Sequence, residues 1–249
     1  MKRRTKIVLI VFSAVLLLFF GISYFIGTQV FMGSTQLVTC EDTKEVKDSF
    51  WEKYDINYED FCNTYQIEKI EISSTFDEHM IPADYIDFVY HCAPEKVIGV
   101  WGTSFGGATA GLAMENKDVE NKVDFLILDC PVSDMKWMVE EEMRKMDIGL
   151  PISYMTFCGN IINKKELGFS YEDANVCDAI GNIEVPILII NSKDDTLTPQ
   201  FMGQDIYDAI NNDAFKTIWT VDESEHTEIW LDYNQDYREK VEELLKDAK

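Results

Sequence analysis

Val97-Ile98-Gly99-Val100-Trp101-Gly102-Thr103-Ser104-Phe105-Gly106-Gly107-Ala108 is the stretch whose reading decides the fold. Its apolar first part, residues 97–101, predicts a strand. It runs straight into Gly102-Thr103-Ser104-Phe105-Gly106, a G-x-S-x-G pattern, and then into a helix-compatible segment, residues 108–115. Strand, tight turn and helix in that order are the setting a nucleophile elbow requires. The serine of an elbow sits on a strained turn, so side chains at Gly102 and Gly106 are expected to strike neighbouring backbone. The helix beginning just after Ser104 would aim its free N–H groups at charge developing near the serine. The motif alone also fits a Gly-rich turn that carries an ordinary exposed serine.

Working outward, residues 123–129 form a buried-type strand closed by Pro131, and residues 185–191 form another, leading to Ser192-Lys193-Asp194-Asp195. Residues 199–211 read as a helix, 215–221 as a strand and 228–246 as an amphipathic terminal helix. Between the second and third of these strands, residues 133–179 are helix-like but irregular, with Met135, Trp137, Met138, Met143 and Met146 on an otherwise acidic segment. Before the elbow, residues 67–73 alternate as a strand does, and residues 80–88 suit a second strand. Strands alternating with helices imply a mostly parallel sheet flanked by helices on both faces. In such sheets reactive groups gather beyond the carboxyl ends of the strands. Ser104, the Asp194-Asp195 pair and His226 all fall there, in the order serine, acid, histidine.

The N-terminus has a different character. Lys2, Arg3, Arg4 and Lys6 precede an apolar run, residues 7–26. About 20 residues rising about 1.5 Å each span a bilayer core of roughly 30 Å. The basic cluster would stay cytoplasmic, placing everything after Gly27 outside. A cleaved signal peptide is the rival, but no A-x-A site follows the run. Leu37-Val38-Thr39-Cys40 is a poor lipobox and lies too far from the run. The expected organisation is a basic stub and single-pass anchor at 1–27, a helical linker at 28–66 and an α/β domain at 67–249. Aromatics recur through residues 50–65 at mixed helical spacings, which packing explains first. Residues 28–95 acting as a partner-binding module is a further idea.

The chain has 249 residues and a formal net charge of −23. That balance repels phosphate backbones and argues against nucleic acid as a partner. Hydrophobic content of 46% argues against disorder. The six cysteines include no C-x-x-C pair, and three scattered histidines offer no zinc spacing, so no metal or organic cofactor is implied. Cys130, next to a strand end, reads as a buried thiol.

A serine hydroxyl needs a base within hydrogen-bond reach. His226, on the loop after strand 215–221, is the best placed. His79 and His91 read as surface or capping residues. The base in turn wants a buried carboxylate to hold its tautomer. Asp194 and Asp195 share one turn, so geometry must choose; Asp195 is favoured, with Asp194 as a solvated turn residue. Asp129 also ends a strand, where a structural role suits it.

These residues carry a resemblance. Trp101-Gly102-Thr103-Ser104-Phe105-Gly106-Gly107, Asp129-Cys130-Pro131, Val185-Pro186-Ile187-Leu188-Ile189-Ile190 running to Asp195-Thr196-Leu197-Thr198-Pro199, and Glu225-His226 are similar to α/β-hydrolase motifs. The chain looks like the membrane-anchored bacterial hydrolases related to serine aminopeptidases and prolyl oligopeptidases. The resemblance implies Ser104 as nucleophile, Asp195 as acid, His226 as base and the Phe105 N–H as half of the oxyanion hole. It makes residues of about 133–180 a cap that shapes the acyl or peptide pocket. The implied substrate is a small ester, thioester, amide or peptide.

The chain departs from that family at one place. Only about ten residues separate Ile86 from Val97, and no His-Gly loop supplies the second oxyanion N–H. Two strands and two helices, roughly 60 residues at usual element lengths, are absent. Losing one oxyanion donor typically costs about 10²–10³ in kcat. A catalytically impaired hydrolase-like protein with a binding role, or none, is therefore the alternative expectation. The edge of the elbow strand is also expected to lie open or to pair unusually.

Overall fold

The computed structural model describes residues 3–35, 96–213 and 216–247, with residues 48, 51–53, 57, 60, 86 and 89–92 between them. The expected strand at 67–73, all of the one expected at 80–88 except Ile86, most of the linker at 28–66, and His79 lie outside the described residues; Ile86 itself is helical and buried rather than in a strand.

Four strands form one parallel sheet in chain order: β1 (Gly99–Thr103), β2 (Phe125–Asp129), β3 (Ile187–Ser192) and β4 (Lys216–Val221). The register sets Thr103 beside Asp129 and Asp129 beside Ile190, which brings the carboxyl ends of the strands to one rim. Every residue of β3 is buried, and all of β2 except Phe125, because helices cover both faces of the sheet. The strands start later than their apolar runs. Ile98 gives its N–H to the Asp124 side chain at 2.8 Å, and Pro186 has no N–H to give, so pairing begins at Gly99 and Ile187.

Side chains alternate between the two faces. Leu126, Leu128, Ile187 and Ile189 point one way. They pack on α2 (Phe105–Ala113), α6 (Val176–Ile180) and α7 (Phe201–Ala209). Ile127, Leu188 and Ile190 point the other way, onto Ile229 of α8 (Ile229–Asp232) and onto Tyr237 and Leu244 of α9 (Asn234–Asp247). The single terminal helix expected at 228–246 is broken at Tyr233, whose backbone leaves the helical region. A four-residue helix, α3 (Lys117–Glu120), leads into β2.

Between β2 and β3 stand the cap helices α4 (Met135–Met146) and α5 (Ile152–Leu167). α6 closes this insertion but belongs to the sheet layer, since Val176 and Ile180 are fully buried against it. Among the described residues β1 pairs only with β2. Trp101 on that edge is 55% exposed and stacks on Tyr237 with ring centroids 5.6 Å apart.

The N-terminal helix α1 (Arg3–Ser34) runs past Gly27 without a break. Over Thr5–Ser34 it is long and apolar enough to cross a membrane, a property a signal sequence shares. Its last third packs on the cap. A Cβ at Gly27 would lie 2.4 Å from the Cys158 carbonyl oxygen, and one at Gly159 would lie 2.4 Å from Val30. One glycine on each helix thus lets the two backbones approach closely. Hydrogen bonds join Ser23 to Tyr154 at 2.7 Å and Ser34 to Tyr171 at 3.0 Å.

Candidate active site

Ser104 stands between β1 and α2 with φ 57° and ψ −123°, a conformation that L residues rarely adopt. The fold holds the strain by pinning the turn. Ser104 N–H donates to the Asp129 carbonyl at 2.9 Å, and the Ser104 carbonyl accepts from Gly107 at 3.0 Å. Gly102 is required here, since its Cβ would fall 2.3 Å from the Gly106 carbonyl oxygen. The same expectation fails at Gly106, where a Cβ meets nothing within 4 Å among the described residues. The crowding comes from Gly106's backbone pressing on Gly102, not from the space around Gly106 itself.

The three expected side chains come together. His226 Nε2 lies 2.9 Å from Ser104 Oγ, and Nδ1 lies 2.7 Å from Asp195 Oδ2. Three loops deliver them, after β1, β3 and β4. The two aspartates differ in place: Asp195 is buried against His226, whereas Asp194 is exposed.

Asp195 is a well-supplied acceptor. Its Oδ1 takes the N–H groups of Leu197 and Thr198 at 2.9 and 2.8 Å, and its Oδ2 takes the Thr198 hydroxyl at 2.8 Å. Burial raises its pKa, but the hydrogen bonds from His226 and Thr198, together with the nearby imidazole charge, outweigh burial and hold the carboxyl below its ordinary value. An ionised Asp195 fixes a proton on Nδ1 and leaves Nε2 free to accept the serine proton.

Thr198 is the residue that the sequence reading passed over as a mere member of a motif. Buried, it links Asp195 to the Cys130 carbonyl at 3.1 Å and lies 3.1 Å from His226 Nδ1. The signal that could have found it is the Asp-x-x-Thr spacing, in which an aspartate accepts from backbone and hydroxyl three residues on. A second tie fixes the histidine loop: Ser192 Oγ at the end of β3 donates to the Ser224 carbonyl at 2.7 Å. From the expected linker, Lys53 reaches the same loop, bonding Glu228 at 2.7 Å.

Cys130, Asp195 and His226 each offer a ligand atom within 4.8 Å of the others, so a metal must be considered. Burial, then the neighbouring Asp129 charge, pushes the Cys130 thiol far above its ordinary pKa. Asp195 Oδ2 and His226 Nδ1 are already spent on each other at 2.7 Å, which leaves the Cys130 sulfur alone. The donor set does not fit a metal centre. Cys130 is the buried thiol the sequence reading expected, and Cys92, Cys130, Cys158 and Cys177 are free. Asp129 is buried below the rim and accepts from the Tyr237 hydroxyl at 2.9 Å. Burial raises its pKa against that bond, as suits a structural carboxyl.

Phe105 opens α2, so its backbone N–H lies in the first turn, where no intrahelical acceptor exists. The place where a second oxyanion donor was sought lies largely outside the described residues. Next to the triad is a cavity of about 750 Å³ bounded by Phe105, Leu197, the cap helices α4 and α5, and α1.

An elbow serine after β1, an acid after β3 and a histidine after β4 of a helix-flanked parallel sheet define the α/β-hydrolase fold, as the resemblance implied. No family model matches the chain. Among solved structures it is similar to the Pyrococcus furiosus esterase Pf2001 in two crystal forms. One gives a TM-score of 0.51 at 19% identity, over 72% of this chain and 65% of that one. The other gives 0.50 at 20% identity, over 69% and 61%. Among curated proteins it is similar to the uncharacterized protein YqkD of Bacillus subtilis (strain 168), 26% identical over 149 residues. That match covers 60% of this chain and 48% of YqkD, so the chain spans about half the length of the curated relative it matches.

Proposed function

We propose that this protein is a membrane-anchored serine hydrolase that cleaves esters, thioesters, amides or peptides through an acyl-enzyme. The observation that carries the reading is the hydrogen-bonded line Ser104–His226–Asp195, at 2.9 and 2.7 Å. Ser104 Oγ attacks the acyl carbon while its proton passes to His226 Nε2. The oxygen of the tetrahedral intermediate turns toward the Phe105 N–H and the positive end of α2. Collapse breaks the bond to the leaving group, which takes the proton from Nε2. Water then attacks the acyl-enzyme with His226 again as base, releasing the acid and restoring Ser104. Asp195 stays ionised and stabilises the imidazolium at each stage.

The packing of α1 supports an anchor that is kept. Val30 of α1 is buried beside Val139, Met143, Met155 and Tyr171 of the cap region, so removing α1 would uncover apolar surface. With the basic N-terminus in the cytoplasm, the hydrolase domain lies on the extracytoplasmic side.

A fluorophosphonate probe tests the chemistry. The full-length protein in detergent is expected to label stoichiometrically at Ser104, and Ser104→Ala not at all. A folded sample that refuses the probe overturns the proposal and leaves a hydrolase-like binding protein.

A further inference from the structure

The cavity beside the triad is unusual in what makes its walls. Phe105, adjacent to Ser104, and Leu197, on the Asp195 turn, line it at one end. Met138, Val139 and Met143 of α4 line another side. The remaining wall is α1 itself, from Ile22 to Ser34. Gln29, Ser34 and Glu142 are the polar members of an otherwise apolar lining. Its volume of about 750 Å³ is that of a ligand pocket, which typically runs from roughly 300 to 1,000 Å³.

The apolar surface continues outside. Met146, Ile148 and Leu150, in the lining between α4 and α5, are 55%, 58% and 39% exposed. Phe157 and Ile161 on α5, beside α1, are 63% and 52% exposed. With the exposed apolar residues of α1 they add to the apolar surface outside the cavity, the kind of surface that marks a membrane or partner contact. Tyr24 and Tyr154 line one shallow pocket between α1 and α5 with Phe19, Phe20 and Phe157.

We propose that the anchoring helix is also a wall of the substrate pocket, and that the substrate is a long-chain acyl ester taken from the membrane α1 crosses. This rests on the serine-hydrolase reading. The acyl tail lies along α1 and the cap methionines, with its carbonyl at Ser104. The polar leaving group faces the aqueous side, where His226 is partly open and can protonate it. A pocket whose lining is mostly apolar selects by chain length, each buried methylene contributing roughly fourfold in kcat/KM.

The test uses the full chain in phosphatidylcholine–phosphatidylglycerol vesicles, with fluorophosphonates and p-nitrophenyl esters of short (C4) and long (C14) chains. The long ester is expected to win by 100-fold or more in kcat/KM. It is expected to react faster from the vesicle than as a dilute monomer added to detergent-solubilised protein. Gly33 lines the pocket, and its Cβ would meet nothing within 4 Å, so Gly33→Phe starts in open space and projects a ring into the cavity. That variant is expected to cut the C14 over C4 preference at least tenfold. Met138→Trp narrows the pocket from the opposite wall and should do the same, so one misfolded variant does not decide the matter. Labelling by the short probe reports that Ser104 is intact in either variant. A flat or inverted chain-length profile with the short probe still reacting, or a preference unmoved in both variants, overturns this inference alone. Failure of every probe overturns the catalytic reading and this inference with it.

Discussion

The rim of the sheet and the seam between α1 and the cap are built on opposite principles. At the rim a few buried polar groups satisfy one another: Asp195 accepts four hydrogen bonds, and Thr198 and Ser192 tie its loop to its neighbours. At the seam, apolar side chains meet across two glycines, and two hydroxyl pairs are the main polar contacts. A polar constellation is specified atom by atom, because an unmet buried group is costly. An apolar seam is specified by volume, because dispersion and burial are not directional. Substitutions should therefore separate the two: exchanging a polar side chain at the rim should act on rate more than on stability, and shrinking an apolar one at the seam on stability and chain-length preference.

The largest expected effect is at the rim. Asp195→Asn keeps the shape but favours the wrong histidine tautomer, and kcat for a short ester should fall about 10⁴-fold. Urea midpoints should move little by comparison. A loss of less than tenfold would mean that His226 does not depend on this carboxyl.

Next comes a pair that isolates the elbow from the helix it opens. Gly102→Ala drives a Cβ into the Gly106 carbonyl, at 2.3 Å, and should cost about 3 kcal/mol or more, or prevent folding. Gly106→Ala meets open space inside α2 and should be neutral or stabilising by up to about 1 kcal/mol. Equal costs for the two would show that the turn relaxes around either substitution.

At the seam, Val30→Ala removes two buried methyls from between α1 and the cap and should cost about 1–3 kcal/mol by denaturant melts. Val30 is part of the cavity's α1 wall, so the long-ester rate should change with it, whereas a C4 ester that stops short of that wall should change by about twofold or less. If instead the short-ester rate collapses, the seam is coupled to the triad and the contrast drawn above fails.

These two regions also differ in how far the sequence discloses them. The elbow, the order of serine, acid and histidine, and the parallel sheet were all readable, because each is written in a few contiguous residues. Asp195 could be preferred over Asp194 but not separated from it, since both share a turn and only burial against His226 distinguishes them. Strand starts were misplaced where a single hydrogen bond decides the edge, as at Ile98, whose N–H goes to Asp124. The role of α1 was hidden for a different reason. A helix apolar all round carries no stripe to show which side packs, so its sequence shows a helix long and apolar enough to cross a membrane and conceals that its last third lines a cavity. Gly27 and Gly159 are the marks of that packing, but glycines in two distant helices signify nothing until the helices are seen to cross.

The smallest effect is a matter of pH and tests whether Thr198 sets the Asp195 carboxyl. Asp195 has a lowered pKa in the fold, so its ionised form favours the native state. Its contribution is present above the unfolded value, near pH 4 for an aspartate, and is lost as pH falls through the lowered native value. Asp129 has the opposite sign: its raised pKa removes stability as pH rises from that same unfolded value through the native one. Thr198→Val deletes one donor to Asp195 and leaves the backbone N–H groups of Leu197 and Thr198 in place. The acid loss of stability should then be smaller and complete at higher pH, its onset near the unfolded value unchanged, with a cost of about 1 kcal/mol at pH 7 and a several-fold lower kcat. Urea melts from pH 3 to 7 give the comparison directly. Curves for Thr198→Val and the native chain that differ by a constant offset would make the threonine a packing residue, because only a bond to the carboxylate changes the slope.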